Sequence, residues 1–178
     1  MVANQRRPRG LGPHVDTHNP EAPFQVCGLD IHGPLVKSPE GFEYAIIIVC
    51  YYTRWVYFHA LRSKGDAGHV FMSFTQWVKK QEWSKQLPST SASCSVKVIQ
   101  VLKSDNAKEF IGPSSMLGRA CEQLGVLQYR ASEYCHEQMG MVEKRWSPLA
   151  SKSRSMLLTA SMPSDMWPHS YKHAAYLE

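Results

Sequence analysis

Three observations predict an α/β domain in which helices flank a mixed, five-stranded sheet. The first half of the chain holds three β-branched and aromatic runs, FQVCGLDI, EYAIIIVCYY and WVYFHALRS, each short and bounded by turn-forming residues. A long helical stripe follows them, and after it strand-like and helix-like segments alternate, as they do when a sheet carries helices on its faces. The 178 residues, 43% hydrophobic and 20% charged, suffice for one sizeable core and not for two comfortable domains.

The elements follow in order. Residues 1–22 contain Arg6, Arg7, Arg9, three prolines and almost nothing apolar, which reads as a flexible basic arm, with the folded domain over 23–178. The three apolar runs are three strands joined by tight turns, the first ending in the Gly-Pro of LDIHGPL. Val70, Phe71, Phe74, Trp77 and Val78 recur at steps of three and four, which predicts a helix over about Asp66 to Lys85. The Ser-rich LPSTSASCS is a connector, and VKVIQVLKS after it is a fourth strand ending at Asp105. Ser114 to Leu124 is helical, with Gly125 as its C-cap before a short fifth strand, VLQYR. Beyond the loop ASEYCHEQMG, Val142, Trp146 and Leu149 stand at i, i+4 and i+7 of another helix. A last helix begins near Ser164 behind Pro163, with Trp167, Tyr171, Ala174 and Ala175 as its apolar face. The order along the chain is β-β-β-α-β-α-β-α-α, without an internal repeat.

Composition removes several classes of function. No run approaches the roughly 18 apolar residues of a membrane span, and Ala45 to Cys50 suits a buried strand. The start MVANQRRPRG has no apolar segment behind its basic residues, so a soluble, intracellular protein is expected. Five widely spaced cysteines without a CxxC pair read as free thiols rather than a disulfide framework or a zinc site. A net charge of +5 favours polyanionic partners.

Three carboxylates carry the candidate chemistry: Asp30 in LDIHGPL, Asp105 in LKSDNAKEF and Glu143 in GMVEKR. Hard divalent cations take oxygen ligands, and carboxylates gathered from distant segments can hold a pair of them against a phosphodiester. These frames, with YYTRWVYFHALRSK and SRSMLLTASMPSDMWPHSYKHAAYL in the same order, resemble the integrase catalytic core of copia-type retrotransposons, a branch of the retroviral integrase superfamily. The resemblance covers about Pro23 to Leu177, and the frames around Trp55 and Trp167 favour this branch over transposases and hybrid-cleaving ribonucleases.

The resemblance implies an RNase H-like fold, with the three acidic residues on the first strand, just after the fourth strand and on the helix after the fifth. Asp30, Asp105 and Glu143 match those positions, and 37 residues separate the last two, similar to the spacing in that superfamily. It further implies DNA integration: end processing and strand transfer of retroelement DNA with two Mg²⁺ or Mn²⁺ ions held by Asp30, Asp105 and Glu143. The implied partners are element ends, target DNA and further copies of the chain in a homodimer or higher oligomer, with the nucleus as the place of action. Lys103, Lys108, Lys144 and Arg145 are expected to contact phosphates, which positions DNA without reading its sequence. Asn106 is expected to fix the turn that presents Asp105, and Gly140 to belong to the loop before Glu143. His32 shares the strand face of Asp30 and could reach the site.

The chain also departs from the family. An acidic pair usual at the end of the second strand is replaced here by Cys50-Tyr51-Tyr52, and of the loop preceding the glutamate only Gly140 survives. Pro148 stands five residues after Glu143. Inside a helix it removes a hydrogen bond to the Lys144 carbonyl at about 3 kcal/mol; at a helix start it leaves Glu143 on a loop. These changes set a second expectation beside the first, a catalytically decayed remnant that binds nucleic acid or dimerises. The chain ends at AAYLE within its last helix and lacks the zinc-binding and small basic modules that flank such cores, so it reads as a truncated fragment of an element.

Overall fold

A computed structural model describes residues 19–81, 98–105, 115–130 and 140–178. Five strands form one sheet: β1 (Val26–His32), β2 (Tyr44–Cys50), β3 (Val56–Leu61), β4 (Val101–Ser104) and β5 (Leu127–Arg130), arranged β3-β2-β1-β4-β5. β1 pairs antiparallel with β2, and β2 with β3, whereas β1–β4 and β4–β5 are parallel. Among the described residues four α-helices stand: α1 (Ala67–Lys80), α2 (Met116–Leu124), α3 (Gly140–Thr159) and α4 (Trp167–Tyr176). This is the mixed, helix-flanked sheet expected from the sequence, with the strand order of an RNase H-like fold. Among the described residues no helix is long and apolar enough to cross a membrane.

Both faces of the sheet are covered, which is why β2 reads as the unbroken apolar run YAIIIVC rather than an alternating one. Successive side chains point to opposite faces. Cys27, Leu29, Ile46, Ile48 and Leu102 pack with Phe71, Phe74 and Leu117 from α1 and α2. Val26, Ala45, Ile47, Val49 and Val101 pack on the other side with Val142 and Leu149 of α3 and Trp167 and Tyr171 of α4. Even-numbered positions of β1, Asp30 among them, therefore belong to the α3–α4 layer.

Local chemistry sets the helix ends. Ser63 caps a 3-10 turn, Lys64–Asp66, through a capping box with Asp66, and α1 continues from it. The hydroxyl of Ser115 accepts from the Gly118 amide at 2.8 Å at the start of α2. Gly125 ends α2 at φ 65°, a left-handed conformation that costs glycine nothing. Beyond Gln81, the expected extension of α1 lies outside the described residues, as do the Ser-rich connector and most of the basic arm. Pro148 lies inside α3, which runs unbroken from Gly140 to Thr159, so the alternative of a helix starting at Ser147 is not adopted. Val142 before the proline and Leu149 after it are both fully buried, and this packing offsets the missing hydrogen bond.

α3 and α4 are joined by a 2.6 Å hydrogen bond between the Ser153 and Ser170 hydroxyls. α4 holds the β1–β2 connection: the Trp167 indole donates to the Val36 carbonyl at 2.6 Å, and His169 meets Glu40 at 2.8 Å. Cys27, Cys50 and Cys121 are buried free thiols. Burial pushes Cys121 up to about 12 and Cys27 well above its ordinary value. A thiol-specific reagent at pH 8 is therefore expected to leave these three unmodified in the native protein and to label them once it unfolds; mass spectrometry checks this.

Candidate functional site

The site is built at the centre of the sheet, where β1 and β4 run parallel. Leu29 pairs with Ser104, and the next residues on the two strands are Asp30 and Asp105. Asp30 on β1 thus neighbours Asp105, the first residue past the end of β4, on the edge of the parallel pair where open α/β sheets place ligands. Asp30 is half-buried and Asp105 exposed. Burial raises the Asp30 carboxyl above the ordinary carboxylate range, hydrogen bonds from Trp146 and Ile31 pull it back, and the neighbouring Asp105 charge pushes it up again.

Both oxygens of Asp30 are engaged. Oδ2 accepts from the Trp146 indole Nε1 at 2.8 Å, and Oδ1 accepts from the Ile31 amide at 2.8 Å. The Trp146 ring lies 5.3 Å from the His32 ring and 6.4 Å from that of Tyr171. His32 is exposed, and its contact is with this indole. Sequence reasoning placed Trp146 only in an apolar stripe; its polar edge, and the aspartate that edge would find, carried no local signal.

Glu143 is exposed in the first turn of α3. The buried side of α3 is the line Val142, Trp146, Leu149, Ser153, spaced by three and four, and Glu143 sits exposed at its flank. Val142 lies over Gly28, where a Cβ would come within 2.2 Å of Val142 Cγ2 and 2.8 Å of Tyr51 Cε2. The charge of Glu143 registers on Tyr51, whose phenol is pushed up to about 12, mainly by burial. Tyr51, in the segment where the family carries acidic residues, is thus a core residue beneath α3.

Such a phenol stays neutral in the fold at a pH where it ionises in the unfolded chain. Its contribution to stability is complete below about pH 10 and is lost as pH rises through about 12. Tyr51→Phe is expected to flatten the alkaline fall in unfolding free energy over that window by at most about 1.4 kcal/mol per pH unit, read by denaturant melts at stepped pH.

The remaining expected residues divide. Lys103, expected on the surface as a phosphate contact, is 1% exposed. It lies on β4 opposite Gly28, its Nζ 4.4 Å from the centre of the Tyr51 ring and 5.9 Å from that of Tyr129, so the inward alternation of the strand buries it. Arg145 pairs with Glu178 at 3.0 Å, and Lys152 meets the same carboxylate. Lys144 is exposed in the first turns of α3, and Gly140 is the first residue of that helix. Asn106 and Lys108 lie outside the described residues.

Carboxylate oxygens are the donors a hard divalent cation takes, so Asp30 and Asp105 are the residues here whose chemistry suits one. Among the described residues no group of three or more His, Cys, Asp or Glu side chains that could hold a metal ion is found.

Fold and site together define an RNase H-like α/β domain with an aspartate pair at the centre of its sheet. The chain is similar to retrovirus-related Pol polyproteins from transposons. It shares 23% identity over 155 residues with that of RE2 and 22% over 161 residues with that of RE1, both of Arabidopsis thaliana, covering 87% and 90% of the chain. It shares 24% identity over 149 residues with that of TNT 1-94 of Nicotiana tabacum, covering 83% of the chain. The chain spans about a tenth of the length of these relatives, 10% in each of the three. No protein-family model matches it. These similarities support descent from a retrotransposon Pol region.

Proposed function

We propose that this chain is an integrase-core region of a retroelement and that its chemistry is metal-dependent phosphoryl transfer on DNA: trimming of element ends and their joining to target DNA. The observation that carries the reading is Asp30 on β1 beside Asp105, directly past the end of the adjacent parallel strand β4, in an RNase H-like sheet. Similarity to transposon Pol polyproteins along most of the chain supports it, as does the net charge of +5.

Asp30 and Asp105 hold the cation, Mg²⁺ or Mn²⁺. When bound, such an ion neutralises charge on the phosphoryl oxygens and lowers the pKa of an attacking water or hydroxyl. Lys144, exposed at the start of α3, meets backbone phosphates and orients the DNA. Lys108, three residues after Asp105, serves the same end, and Asn106 fixes the turn that presents Asp105.

A second reading is a non-catalytic remnant that retains the fold and binds nucleic acid. The Trp146 hydrogen bond to Asp30 favours it. Labelled duplexes with recessed and blunt ends, incubated with the protein and Mn²⁺, separate the two. The integrase reading expects shortened or joined strands, reduced about 10²-fold or more in Asp105→Asn. DNA binding without any Mn²⁺-dependent strand chemistry selects the remnant.

A further inference from the structure

The two aspartates alone look ready for a cation, yet one of them already has its partners. Asp30 Oδ1 is held by the amide of Ile31, the next residue on its own strand, and Oδ2 by the indole N–H of Trp146 at 2.8 Å. The Trp146 donor comes from α3, on the side of the sheet from which a third ligand would approach. Its ring is wedged between His32 at 5.3 Å and Tyr171 at 6.4 Å, so the N–H is aimed by packing on both sides. α3 itself is seated by Val142 over Gly28, one turn earlier.

Divalent cations such as Mg²⁺ demand short metal–oxygen distances and a nearly regular shell. An N–H at hydrogen-bond distance, carrying a bulky ring, takes the place of a ligand or water on that oxygen. Breaking such a charge-assisted bond is a cost the ion must meet before it binds.

We propose that Trp146 is a lock on the site: its indole occupies the face of Asp30 that a divalent cation needs, so the ion binds at Asp30–Asp105 only when the indole leaves. Trp146 is a positioning residue here, acting through Asp30. Swinging the indole away frees Asp30 Oδ2 for an ion. The inference rests on the reading of Asp30 and Asp105 as the cation pair.

Mn²⁺ binding tests it without any need for activity. Titrations of wild type, Trp146→Phe and Asp105→Asn are followed by calorimetry and by the electron paramagnetic resonance signal of free Mn²⁺. Phenylalanine keeps a ring between His32 and Tyr171 and removes only the donor. The lock expects Trp146→Phe to bind Mn²⁺ about tenfold or more tightly than wild type, with Asp105→Asn in the same background abolishing the gain. Equal or weaker binding by Trp146→Phe, at a site that Asp105→Asn still removes, overturns the lock and leaves the cation pair standing. No Mn²⁺ bound by any of the folded proteins overturns both.

Should Trp146→Phe fail to fold, wild type supplies the second measurement. In ¹⁵N spectra, the Trp146 indole N–H is expected to shift and lose its exchange protection over the range of Mg²⁺ concentration that saturates the site. An indole signal unmoved while Mg²⁺ binds overturns the lock.

Discussion

Phe71→Ala is expected to lower the unfolding free energy by about 3–5 kcal/mol, the range for removing a fully buried aromatic ring. Phe71 is 0% exposed and lies on α1, within the cluster that joins Leu29, Ile46 and Ile48 of the sheet to Leu117 of α2. Its removal leaves a cavity bounded by strands on one side and a helix on the other, and neither collapses without breaking its own hydrogen bonds. Domains of this kind have about 5–15 kcal/mol in total, so the variant is expected to sit near the edge of folding at 37 °C. Urea melts followed by far-ultraviolet circular dichroism measure the loss. A change below about 1 kcal/mol contradicts the packing described.

Gly28→Ala is expected to be nearly as damaging, for the opposite reason. A Cβ there meets Val142 Cγ2 at 2.2 Å and Tyr51 Cε2 at 2.8 Å, far inside van der Waals contact, and α3 must move off β1 to admit it. Overpacking of this kind costs about 1–3 kcal/mol or more. The displacement also pulls Trp146 from Asp30, because Val142 and Trp146 leave successive turns of α3. Val142→Ala in the same chain removes the obstructing methyl groups and is expected to restore part of the loss, a coupling a double-mutant cycle reads directly. Strict additivity of the two changes contradicts the close approach of α3 to β1.

Much of the architecture was legible because it rests on local pattern. The run Ala45 to Cys50 gave β2, the stripe through Val70, Phe74 and Val78 gave α1, and Gly125 marked the end of α2. The 3-10 turn before α1 was missed although Ser63 and Asp66 spell its capping box. Pro148 was read as a threat to the helix because propensity counts the lost hydrogen bond and not the burial of Val142 and Leu149 on either side of it.

The site was legible only in part. The pairing of Asp30 with Asp105 follows from the strand frames and the sheet order. The place of Glu143 does not, because it depends on which residue of α3 takes the seat over Gly28. From its sequence Lys103 reads as a surface cation, and only the parallel register with β1 puts it inside, against Tyr51. The bond from Trp146 to Asp30 joins residues 116 apart, and no short window of sequence contains both.

The function of this site depends on whether the aspartate pair holds a divalent cation. From a crystal of the protein grown with saturating Mn²⁺, with data collected at the manganese absorption edge, the expected result is an anomalous peak ligated by carboxylate oxygens of Asp30 and Asp105, with the Trp146 indole turned away from Asp30. A folded protein without a peak between the two aspartates, the indole still donating to Asp30 Oδ2, would refute that role.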